Sequence, residues 1–104
     1  MSREQNARAA HRNGSSCSAA VYRAFSDVNP NPGSIPAPRS EGGKCGAVLA
    51  AQKALREMGR DTAGFEQNFL NEFGSLKCGE LRRSGVPCND LVGAAVRLVE
   101  AELG

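Results

Sequence analysis

The sequence predicts an all-α protein, a small bundle of about five to six helices with a proline-rich connecting loop. Three observations predict it. Apolar residues recur at spacings of three and four through most of the chain. No stretch alternates apolar and polar residues with the period of two that a half-buried strand requires. The chain is 104 residues long, enough for a single core and so for one helical four-cysteine domain spanning residues 1–104.

In order, residues 3–12 read as a short polar helix closed by Asn13-Gly14. Ser15 or Ser16 then caps a second helix with the stripe Cys17, Ala20, Val21, Ala24 and Phe25. Residues 28–43 break the pattern. Prolines at 30, 32, 36 and 38 and glycines at 33, 42 and 43 forbid helix and central strand. This segment is expected to be the least ordered internal part of the chain and to carry it back along the preceding helix.

The stretch GGKCGAVLAAQKALREM, Gly42 to Met58, organises what surrounds it. Its apolar face is Cys45, Val48, Ala51, Leu55 and Met58, and Gly59 stops it. Asp61 or Thr62 caps the next helix, where Phe65, Phe69, Leu70 and Phe73 are expected in the core. Gly74 ends it. Cys78 opens a short helical turn with Leu81 inward. After Gly85 and Pro87, Cys88 begins the last helix, with Leu91, Val92, Ala95, Val99 and Leu103 inward. Asp90, Gly93, Arg97 and Glu100 form its opposite face.

Composition narrows the function. Thirteen basic and eleven acidic residues give a net charge of +2, and they alternate along the chain. Nucleic acid is therefore not an expected partner, since a phosphate-binding footprint needs a basic stripe. No apolar run approaches the ~20 residues that span a bilayer, so no membrane is expected. The N-terminus carries no apolar core of a secretory signal, which makes the cytoplasm the expected compartment. There, cysteines are more often metal ligands or transient redox groups than permanent disulfides.

All four cysteines share one placement. Cys17, Cys45, Cys78 and Cys88 each start a helix, and each is followed three residues later by Ala20, Val48, Leu81 or Leu91. Short connections favour antiparallel neighbours, so four helix N-termini are expected to meet at one end of the bundle. Their dipoles favour thiolate over thiol. Lys44 and Lys77, each just before a cysteine, either add to that field or are simply solvated. By this argument Cys45 is expected to ionise below the free-cysteine value of about 8.5.

Three chemistries suit four such thiols: an iron–sulfur cluster, a tetrahedral zinc, or cycling between dithiol and disulfide. The intervals of 27, 32 and 9 intervening residues contain no C-x-x-C and match no standard zinc or ferredoxin run. His11 and the pair Arg82-Arg83 read as solvated surface residues.

GSSCSAAVYRAF, GGKCGAVLAA, FGSLKCGEL and PCNDLVGAAVRLVE, in that order, resemble the family named for its C…GCAxxG…C…C signature. That family is regarded as redox-active, and a similar cysteine region in split-Soret cytochromes is a candidate iron–sulfur domain. The resemblance runs from Gly14 onward, although the segment before Cys45 is proline-rich where the family more often has a glycine-rich run. It implies a redox-active site at Cys17, Cys45, Cys78 and Cys88, working either by thiol–disulfide exchange or by electron transfer through a cluster held by the same four residues. An oxidoreductase or electron-transfer protein is then the expected partner. The competing expectation is a non-catalytic helical module that binds a partner, with cysteines that are structural or hold zinc.

Overall fold

The computed structural model describes residues 2–30, 33–35 and 40–103. It is all-helical among those residues: α1 (Arg3–Arg12), α2 (Cys17–Arg23), α3 (Ser40–Gly43), α4 (Gly46–Glu57), α5 (Ala63–Phe73), α6 (Cys78–Arg83) and α7 (Cys88–Leu103). Six of these match the expected helices. The seventh, α3, is one helical turn inside a segment that the prolines and glycines had led us to read as helix-free. The expected disorder of that segment falls in part on residues 31–32 and 36–39, which lie outside the described residues. Among its described parts, Asn29 donates to Glu57 and Gly33 N–H to Tyr22, while Val28 and Ile35 are exposed.

Local chemistry fixes the boundaries. Ser2 and Gln5 form a capping box on α1, with Gln5 N–H donating to Ser2 Oγ at 3.1 Å. Ser16 Oγ accepts from Ala19 N–H at 3.1 Å and starts α2. Gly74 closes α5 at φ +82°, the left-handed conformation that a Cβ disfavours. Cys45 is the N-cap of α4, outside its first turn.

Two helices are buried more fully than a single stripe implies. Every residue of α4 from Gly46 to Gln52 is buried, as are Ala54 and Leu55, so α4 is the central element. Among the described residues α7 packs against α1, α2, α4 and α5. Its expected solvent face is therefore partly covered. Gly93 is buried beneath the Arg8 guanidinium of α1, which occupies the space a Cβ would need. Leu70, expected in the core, is exposed on α5.

The core joins Val21 and Phe25 with Val48, Leu55, Phe65, Phe69, Leu81, Val92 and Val99. Phe69 stacks at a tilt between Phe65 and Phe73, with ring centroids 5.9 and 4.8 Å apart. No helix among the described residues is long and apolar enough to cross a membrane.

Candidate functional site

The four cysteines line one cavity of about 230 Å³. The sequence expectation of converging helix starts rested on topology; the contacts supply the mechanism. α2 and α4 lie side by side and touch at both ends. Cys17 meets Cys45 at their starts, and Tyr22 donates to Glu57 thirty-five residues on. The two helices are therefore parallel, which requires the long return of residues 28–43.

Cys78 reaches the same place by a backbone device. Lys44 and Lys77 pair across an isolated antiparallel bridge, and Cys45 N–H donates to Leu76 O at 2.8 Å. This fastens the entry to α4 against the entry to α6. Cys88 is positioned from the other side. Asn89 Nδ2 donates to Arg8 O at 3.0 Å and lies 3.0 Å from His11 Nδ1, so the start of α7 is pinned to the end of α1. The turn out of α1 leads directly to Cys17.

Exposure is graded across the four sulfurs. Cys45 is 2% exposed, Cys17 and Cys78 are half-buried, and Cys88 is exposed. All four are free thiols. Gly46, Val86 and Leu91 supply the rest of an apolar wall, and Arg82 a single cation.

The electrostatics distinguish the thiols. The neighbouring Cys45 and Cys88 thiols favour the ionised form of Cys17 most strongly, and the Ser18 amide and nearby His11 act in the same direction. Against the cost of burial, these hold Cys17 far below the ordinary thiol range. Cys45 is pushed up, first by the neighbouring Cys17 and then by burial, although the Ala47 and Val48 amides oppose this. Cys88 is pushed up first by Cys17, then by burial; Arg82 offsets part of this. The shift is downward at Cys17 and upward at Cys45 and Cys88. The expectation that Cys45 is the activated thiol is reversed: helix dipoles reach it, but burial and a neighbouring thiolate outweigh them.

Four thiols are the right donor chemistry for zinc or an iron–sulfur cluster. As placed, however, no three His, Cys, Asp or Glu side chains among the described residues form a group that could hold a metal ion. No step is therefore assigned to a metal here. Lys44 and Lys77 are absent from the cavity wall and face a separate open cleft with Gly42, Leu70 and Gly74. Two residues read from sequence as surface groups lie at or near the site: Arg82 is exposed, as expected, but on the cavity wall, and His11 stands behind it against Asn89. Arg82 lies one helical turn beyond Cys78, an i, i+4 spacing that places both on one face. His11 had no sequence signal, since only the α1–α7 contact brings it there.

No model of a known protein family, no curated protein and no solved structure matches this chain.

Proposed function

We propose that the chain is a redox protein that works by thiol–disulfide exchange at Cys17 and Cys88. The observation that carries this reading is that the half-buried Cys17 and the exposed Cys88 line one cavity, free and open to small reactants. The Cys17 thiolate attacks one sulfur of a substrate disulfide, RSSR. That S–S bond breaks, one RS⁻ leaves, and a Cys17–S–SR bond forms. Cys88 then loses its proton, attacks Cys17 Sγ and expels the second half as RSH after proton transfer. The substrate gains two electrons and the protein holds a Cys17–Cys88 disulfide. A dithiol on an oxidoreductase partner returns it to the reduced state.

Cys45 is a less suitable resolving thiol because it is buried. A second reading rests on the count of thiols, since exchange needs two and four face the cavity. In that reading Cys17, Cys45, Cys78 and Cys88 hold an iron–sulfur cluster for electron transfer.

The test is anaerobic purification with acid-labile sulfide analysis, then titration with a small disulfide followed by peptide mapping. Exchange predicts a colourless protein that loses two thiols together and yields one Cys17–Cys88 peptide pair. A brown, sulfide-containing protein supports the cluster instead. Four thiols reacting slowly and independently would leave the non-catalytic module as the function.

A further inference from the structure

The site's substrate class follows from Arg82, and the inference rests on the exchange reading above. Arg82 is the one cationic side chain on the wall of the cysteine cavity. It makes no ion pair among the described residues, where the ion pairs of the other arginines involve Arg3, Arg8 and Arg97. Its neighbour Arg83 turns back to hydrogen-bond Gly79 O at 3.3 Å on its own helix. The Arg82 charge is felt at the Cys88 sulfur, so the guanidinium and the exposed thiol share the mouth of the cavity.

Size limits what can enter. A volume of about 230 Å³ corresponds to roughly eight waters at ~30 Å³ each. That lies just under the ~300–1,000 Å³ of sites for drug-sized ligands. It admits a small organic disulfide, while the exposed Cys88 at its mouth stays within reach of a partner's dithiol. The apolar wall of Val86 and Leu91 suits the carbon–sulfur part of such a molecule. The unpaired guanidinium suits a carboxylate two or three bonds from its sulfur, which it can take in bidentate fashion.

We propose that the physiological oxidant of this site is a low-molecular-weight disulfide bearing a carboxylate, and that Arg82 is its specificity-determining residue. The carboxylate docks on Arg82 and places one substrate sulfur in the cavity against Cys17 Sγ. Exchange then proceeds with the same bond changes as above, and the departing RS⁻ leaves past Cys88.

The experiment measures the rate at which the full chain is oxidised by three small disulfides: dithiodiglycolate (anionic), hydroxyethyl disulfide (neutral) and cystamine (cationic). Each rate is normalised to that of free N-acetylcysteine with the same reagent. The wild type is expected to prefer the anionic over the cationic disulfide by about tenfold, within the range of local electrostatic focusing. Arg82→Glu should abolish or invert the ratio of the anionic to the cationic rate, each taken relative to the neutral disulfide with the same variant. Arg83→Glu carries the same change of net charge next door and should leave the preference intact. If Arg82→Glu does not fold, Arg82→Gln should reduce the preference to near unity.

A preference that survives loss of Arg82, or that Arg83→Glu erodes equally, overturns the assignment while leaving exchange standing. Failure of the wild type to react even with the neutral disulfide overturns both readings.

Discussion

The two ends of the parallel pair α2–α4 solve the same electrostatic problem with different atoms. At the far end Glu57 brings one carboxylate into a half-buried site. Tyr22 OH donates to it, Asn29 Nδ2 donates at 2.8 Å, and Lys53 Nζ lies 3.3 Å away. Gly33 N–H donates to Tyr22 Oη at 2.5 Å, so the same cluster ties down the connecting segment. Burial raises the Glu57 pKa, but these donors together outweigh it and hold the carboxylate below its usual range. At the near end Cys17 is the thiol shifted toward its charged form, and the groups beside it are the Cys45 and Cys88 thiols. Oxygen and nitrogen donors can only hold a charge. Thiol donors can also form a bond to the atom they stabilise. On the proposed function, one end is therefore a lock and the other a reactive site.

The largest effect that would sharpen this contrast is chemical. Cys17→Ser should remove the fast phase of alkylation at pH 6, lowering the leading rate about 10- to 100-fold, because ordinary thiols are mostly protonated there and low-pKa thiolates lose some intrinsic nucleophilicity. Global stability should change far less. A fast phase that persists in Cys17→Ser, and disappears instead in Cys45→Ser, would assign the charge to Cys45.

The next effect is on stability and belongs to the other end. Tyr22→Phe removes the donor to Glu57 and the acceptor for Gly33 N–H, and should cost about 1–3 kcal/mol in denaturant unfolding. Alkylation of Cys17 should be unaltered, since the two ends share helices but no hydrogen bonds. A joint loss of stability and fast alkylation would mean that the ends are coupled through α2.

The smallest effect is in pH dependence. A carboxylate whose folded pKa is depressed contributes stability that is present above its unfolded pKa, about 4.3, and is lost as pH falls through the folded value. Glu57→Gln should therefore be less stable than wild type at neutral pH by about 1 kcal/mol or less, and the two should converge in acid. Parallel stability curves from pH 7 to pH 3 would show that the Glu57 charge contributes nothing.

How much of this was legible in the sequence can be judged residue by residue. Cys17, Cys78 and Cys88 begin their helices as expected, because caps, glycines and a period of three to four are local features. Phe65 and Phe69 were legible as core for the same reason. Gly93 and Leu70 were misjudged because a helical stripe reports one buried face, and the number of neighbours a helix acquires is not local. Arg82 left a faint trace in its spacing from Cys78. His11 left none.

The sequence by itself determined six of the seven helices, their order and the placement of a cysteine at four of their starts, since hydrogen bonding within a turn and the burial of one apolar face are settled by nearby residues. Only the tertiary structure decided that Cys17 is shifted down and Cys45 up. A thiol's ionisation depends on its burial and on which groups surround it, and here those groups come from helices 28 and 71 residues away along the chain.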